Sequence, residues 1–217
     1  CRFCQTGWMR GAFSAATREE LLAGAVRFKA AMVNADLNLL ASDACSISGL
    51  ESILEVLCPL FRRVSVKSLS VASLVRHPKS FRLLRKLAKH EFTFGVEGVS
   101  ARLRAYLGKP ATAGDLIRSA GSLADNGLRQ LKLFFIVTGL EEERDLSELE
   151  SLLKSIHAKV PACRIIASFM PLFHAPFTPL QFAPFPSRAS IGEGLRRLTS
   201  LAGRYGMQVR ESITYDE

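Results

Sequence analysis

What the chain lacks narrows its class first. No run of about 18 or more uncharged apolar residues occurs, so neither a membrane span nor a membrane partner is expected. The start has no basic segment followed by an apolar stretch, so no signal peptide is expected and the compartment reads as cytoplasmic. Neither G-x-G-x-x-G nor G-x-x-x-x-G-K-S/T appears, which removes nucleotide binding by those loops. There is no G-x-S-x-G elbow, and none of the four histidines is flanked by a recognisable catalytic partner. Cysteine is scarce and odd in number: Cys1, Cys4, Cys45, Cys58 and Cys163. That count argues against a disulfide framework, and Cys58 and Cys163 read as small buried residues in apolar runs. An initiator Met is missing too, and Cys1 stands inside a motif, so a piece of a longer protein is expected.

What is present describes a globular α/β chain. Apolar residues make up 48% of the 217 and charged residues 23%, which supports a packed core and excludes a mostly disordered chain. The net charge of +9 is uneven: Arg62 to Lys109 holds twelve Lys/Arg against Glu91 and Glu97. One reading of that stretch is a face for RNA or an acidic partner. The other is a solvated helix face, because Arg82, Arg85, Lys86 and Lys89 recur at i, i+3, i+4 and i+7. No aromatic residues interleave with those charges, as a base-stacking platform would require.

Strands and helices alternate at intervals of roughly 30 residues. A capping box at Thr17 and Glu20 starts a helix that runs to Val33. Leu37 to Ala41 reads as a strand, Gly49 to Phe61 as a helix, and Val64 to Leu74 as a second strand. Pro78 opens a helix ending near His90. Then come a strand over Glu91–Val96, a short helix stopped by Gly108, and a helix over Ala113–Asn126. Gln130–Val137 is the clearest strand. It is followed by a helix over Leu146–Ala158, a strand over Arg164–Phe169 and a Pro- and Phe-rich loop from Met170 to Pro186. The chain closes with a helix over Ile191–Tyr205 and a strand over Gln208–Thr214. This alternation implies βαβ units and a parallel sheet, either doubly wound or wrapped as a barrel. In both architectures ligands sit at the carboxyl ends of the strands. Ser42, Asp43, Glu97, Ser100 and Thr138 follow predicted strands, Ser70 and Ser73 lie in the last part of one, and all are expected on that rim.

Cys1-x-x-Cys4 alone admits a redox dithiol, half of a zinc site or part of an iron–sulfur site. Cys1-Arg2-Phe3-Cys4-Gln5-Thr6-Gly7 resembles the second half of the C-x3-C-x-aromatic-C motif of radical S-adenosylmethionine (SAM) enzymes, with Phe3 as the aromatic. Further segments resemble the cobalamin-domain-linked and methylthiotransferase-like branches of that superfamily, in order. Asn38 to Asp43 stands at the polar motif of the second strand. Phe92 to Arg104 resembles the fourth-strand pattern F-A-P-E-A-G-S-x-R-L-R. Leu131 to Leu140 resembles K-L-Y-F-M-I-G-L-P, and Pro171 to Phe185 resembles the sixth-strand loop with its H-T-P-F-Q-W-A. The resemblance covers residues 1 to about 185. Glu141 replaces the Pro of the fifth-strand pattern, and the loop around His174 is longer.

The resemblance implies a partial (β/α) barrel of about five or six parallel strands. Residues 1–217 would be one radical SAM core domain without its first strand, and 187–217 its closing helix and strand. It implies Cys1 and Cys4 as ligands of a four-iron–four-sulfur (4Fe-4S) cluster, with the remaining cysteine four positions before Cys1. The chain by itself is therefore not expected to carry an intact cluster. SAM is the implied second cofactor. Phe3 would lie near its adenine, Glu97 would accept from its amine or ribose, Arg102 would face an anionic group, and Ser42 and Ser100 would add hydrogen bonds. The implied activity is generation of a 5′-deoxyadenosyl radical for methyl transfer or C–H functionalisation, a transferase-like reaction on an unspecified substrate. Cobalamin held by an upstream domain is the implied further cofactor and partner. The competing reading is a non-catalytic α/β binding module that uses the basic stretch.

Overall fold

The computed structural model describes residues 1–9, 14, 16–32, 35–41, 44, 47–66, 70–76, 90–109 and 111–211. The elements in chain order are α1 (Thr6–Met9), α2 (Arg18–Ala31), β1 (Leu37–Leu39), α3 (Leu50–Leu57), β2 (Val64–Val66), α4 (Val71–Arg76) and β3 (Glu91–Glu97). They continue with α5 (Ala101–Leu107), α6 (Ala113–Asp125), β4 (Gln130–Val137), α7 (Glu143–Lys159), β5 (Arg164–Pro171), α8 (Arg188–Arg204) and β6 (Gln208–Glu211).

Local chemistry sets most of these boundaries. The Thr17 hydroxyl accepts from the Glu20 amide at 3.1 Å while the Glu20 carboxylate accepts from the Thr17 amide at 2.8 Å, the reciprocal cap expected for α2. Thr112 and Asp115 start α6 in the same way. Gly108 ends α5 at φ 71°, a left-handed position that glycine reaches without a Cβ clash. One element differs from expectation. The Val- and Ser-rich run expected as a strand from Val64 to Leu74 stops pairing at Val66, and Val71–Arg76 is helical. Val71 and Leu74 are both buried, and a three-residue spacing puts both on one side of a helix but on opposite faces of a strand. The helix expected from Pro78 lies outside the described residues, as do Arg82, Arg85, Lys86 and Lys89.

The described strands form two parallel sheets, β1–β2 and β3–β4–β5–β6. The four-stranded sheet follows chain order, and each crossover supplies a helix, α6, α7 or α8, whose apolar residues join the core on one face of the sheet. Phe92, Phe94, Leu131, Leu133, Phe135, Ile165 and Phe169 project from it into one core with Leu116 and Leu123 of α6, Leu149 and Leu153 of α7, and Leu198 and Leu201 of α8. Phe135 stacks on Phe169 with ring centroids 5.2 Å apart. Burial of each such side chain contributes about 1.5–3 kcal/mol. Alternation turns Thr93, Lys132, Phe134 and Ile136 to the other face, where Thr93 is exposed and Lys132 and Phe134 are half-buried. The same core takes in Leu54 and Leu57 of α3, Val64 and Val66 of β2 and Leu74 of α4. The α/β class with parallel strands is therefore as expected. A continuous wrap of five or six strands is not present among the described residues.

Candidate functional site

The carboxyl ends of β3, β4 and β5 form the rim to which the sequence motifs point. β3 ends irregularly: its register to β4 slips between Gly95 and Glu97, and Glu97 sits at φ 63°. A bulge of this kind re-aims the side chain beyond it. The Glu97 carboxylate folds back over Gly95, where an added Cβ would lie 2.5 Å from Oε1, and pairs with Lys109 Nζ at 3.2 Å. Gly98 follows at a close crossing of backbones. A Cβ there would collide with the Leu103–Arg104 peptide and would lie 2.8 Å from the Arg104 Cα.

The cysteine loop is docked on this rim. The Arg2 amide donates to the Leu107 carbonyl at the end of α5 (2.9 Å), and the Arg2 carbonyl accepts from the Leu180 amide beyond β5 (3.3 Å). The Phe3 ring packs against a small apolar cluster of Leu107, Ile136, Leu172 and Leu180, which sits at the ends of β4 and β5. The Gln5 side chain donates to the Pro176 carbonyl at 3.1 Å, and the Trp8 indole donates to the Cys1 carbonyl at 3.0 Å. Both thiols are free; Cys1 is exposed and Cys4 half-buried. A Cβ on Gly108 would lie 3.6 Å from the Cys1 Cα, and the next residue, Lys109, holds Glu97. Cys1 and Glu97 thus each lie next to the Gly108–Lys109 corner of the rim, with Phe3 on the adjoining apolar cluster.

Ser100 and Arg102 are engaged on the helical side. Ser100 caps α5, accepting from the Leu103 amide at 3.2 Å, and donates to Asp145 Oδ1 at 2.5 Å. Arg102 donates to both Asp145 oxygens, at 3.3 and 2.5 Å, and to the Leu140 carbonyl. Asp145 is buried in the first turn of α7. Burial pushes its carboxyl up, but Arg102, the Ser100 hydroxyl and the Glu142 amide together hold it below the usual carboxylate range. Buried Arg104 extends this lock, donating to the Gly98 carbonyl and to Glu148. Ser42 and Asp43 lie outside the described residues, as does Cys45.

Two anions of the acidic run after β4 are internal caps. The Glu141 carboxylate accepts from the Thr138 amide (2.6 Å), the Thr138 hydroxyl (2.8 Å) and the Gly139 amide (2.9 Å). Asp145 is the other. Sequence reasoning treated Glu141 as a departure from a pattern and missed Asp145, Glu148 and Lys109. The acidic residues at a helix start were the available signal. His174 is buried against the edge of Phe185, at 4.1 Å between centroids, with neither ring nitrogen hydrogen-bonded, and burial lowers its pKa.

Within the basic stretch, Arg62, Arg102, Arg104 and Lys109 are paired with Asp36, Asp145, Glu148 and Glu97. A groove between α7 and α8 is lined by charges that pair with one another, such as Arg197 with Glu143 and Arg196 with Glu193. Among the described residues no group of three or more His, Cys, Asp or Glu side chains is placed to hold a metal ion, and no helix is long and apolar enough to cross a membrane. No protein-family model and no curated protein matches the chain.

Proposed function

We propose that the chain is the core of a radical SAM enzyme, a singly wound partial (β/α) barrel that binds a 4Fe-4S cluster and SAM at its carboxyl rim. The observation carrying this reading is the docking of the Cys1–Phe3 backbone, which bears a free thiol and precedes a second, onto Leu107 at the end of α5 and Leu180 beyond β5, on the rim that also carries the Glu97–Lys109 pair. Sequential parallel strands with all crossovers on one side support a barrel-type winding over a doubly wound one, in which helices cover both faces.

The donor chemistry fits the proposed group. Thiolates are the ligands iron–sulfur clusters use, and these two are accessible and unpaired. Cys1 and Cys4 would hold the cluster together with a cysteine four positions earlier in the full-length protein. When bound, the cluster supplies the electron that cleaves SAM to a 5′-deoxyadenosyl radical. The chain's own residues orient the substrate of that step. Glu97 and Lys109 are only partly buried and offer opposite charges, suited to the amino and carboxylate groups of one amino-acid moiety. Lys109 takes the anion-facing role expected of Arg102, whose guanidinium Asp145 holds. Phe3 contributes an apolar wall that excludes water from the same corner. Methyl transfer or C–H functionalisation, with cobalamin from an upstream domain, completes the proposal.

Equilibrium binding of SAM to the reconstituted full-length protein tests these assignments. Glu97→Gln is expected to weaken binding roughly tenfold, the equivalent of one charged hydrogen bond. Unchanged affinity in Glu97→Gln, or no retention of SAM by the wild type, contradicts the reading.

A further inference from the structure

The loop between β5 and α8 holds apolar surface that the fold itself leaves open. Phe173, Phe177, Phe182 and Phe185 are 65–88% exposed, and Trp8 and Met9 of α1, which the Gln5–Pro176 bond ties to this loop, are each more than half exposed. An exposed apolar patch of this kind marks an interaction surface. Phe177 adds strain to exposure: it sits at φ 60°, a conformation unfavourable for a bulky residue, with its ring turned to solvent.

Two properties of the loop select the occupant. No Asp, Glu, Lys or Arg lies between Arg164 and Arg188. Sites for single-stranded nucleic acid interleave cations with their aromatic rings, and this loop does not. Its backbone is also partly satisfied from within. Pro171, Pro176, Pro179, Pro184 and Pro186 have no N–H. The amides of Leu172, Ala175, Leu180, Gln181 and Ala183 donate to carbonyls of the chain, and that of Phe177 donates to the Gln181 side chain. Leaving water therefore uncovers fewer unpaired donors than an open loop of this length would, and such donors are the main obstacle to entering a lipid interface. Charge complementarity supplies the rest: the chain carries +9, and Arg2 and Arg188 border the loop.

We propose that this aromatic loop, together with Trp8, docks the chain onto an anionic lipid surface. Surface docking needs no spanning segment, so the absence of long apolar runs does not bear on it. The inference stands apart from the cluster and from SAM.

Trp8 is the single tryptophan of the chain and is exposed on α1, which the Gln5–Pro176 bond ties to the loop, so its emission reports docking. The full chain is mixed with phosphatidylcholine vesicles with and without phosphatidylserine, and co-sedimentation and tryptophan emission are read together. Expected are binding to the phosphatidylserine vesicles with a blue shift of Trp8, weaker binding without phosphatidylserine, and a loss of roughly tenfold or more in Phe173→Ser/Phe182→Ser. Val26→Ser, an equally exposed apolar site on α2, should leave partition unchanged, and both variants should keep the wild-type melting temperature. The proposal is overturned by absent vesicle binding, or by binding that the double variant retains. Self-association in the absence of lipid that Phe173→Ser/Phe182→Ser abolishes assigns the patch to a second copy, and protection of Trp8 by single-stranded RNA assigns it to nucleic acid. Either outcome overturns it as well.

Discussion

Asp145 and His174 are both buried and ionisable, and they respond to their burial differently. Asp145 keeps its charge because Arg102, Ser100 and the Glu142 amide surround it. A carboxyl held low in the folded state stabilises the fold above its unfolded value, near 4, and loses that contribution as pH falls through the folded value. Denaturant unfolding should show a stability step below about pH 4 that Asp145→Asn removes. At neutral pH Asp145→Ala should cost roughly 2 kcal/mol, because Ser100 and the Glu142 amide lose their acceptor while the half-exposed Arg102 regains water. His174 has no partner and resists protonation. Its contribution is constant above about pH 6.5, the unfolded value, and falls as the pH drops from there to the lower folded value. His174→Leu should therefore raise stability by roughly 1 kcal/mol at neutral pH and flatten the decline on the acid side. Lower or unchanged stability would mean that His174 has partners in solution.

The β3–α5 junction is the element on which the site depends, and its two glycines should behave in opposite ways. A side chain on Gly98 meets backbone, which cannot move aside, so Gly98→Ala should cost roughly 3 kcal/mol or more. A side chain on Gly95 meets the free end of Glu97 instead. Gly95→Ala should keep a near wild-type denaturation midpoint while displacing the Glu97 carboxylate and weakening SAM binding. A larger stability loss in Gly95→Ala than in Gly98→Ala would contradict this geometry. Elements of this kind were largely legible in the sequence. The Thr17–Glu20 box, the Gly108 stop and the apolar run of β4 are each set by neighbours within a few residues. The Val71–Arg76 helix was not, because its β-branched composition yields to a packing partner, α6, that lies far away in the chain. Lys109 read as the residue after a helix stop, and only the bulge at Gly95–Glu97 brings the carboxylate to it. The Arg2–Leu107 hydrogen bond joins residues far apart in the chain and leaves no local trace.

For the molecule as a whole, the alternation of strands and helices predicted parallel pairing, and the four-stranded sheet has it throughout. The side on which each crossover packs was not legible, since an amphipathic helix carries the same periodicity above or below a sheet. The second face of the sheet is mixed, with Lys132 and Phe134 half-buried along it and Ile136, Ile166 and Ser168 buried. Parallel pairing places the carboxyl ends of β3 to β6 on a common rim, which carries both the docked cysteine loop and Glu97. The most direct test of that arrangement is anaerobic reconstitution of the full-length protein with iron and sulfide, followed by assay of 5′-deoxyadenosine released from SAM under reducing conditions. The wild type should develop thiolate-to-iron absorption and release 5′-deoxyadenosine, and Cys4→Ala should abolish both while keeping the fold. A folded full-length protein that forms no cluster, or one whose 5′-deoxyadenosine release survives Cys4→Ala, would contradict the account.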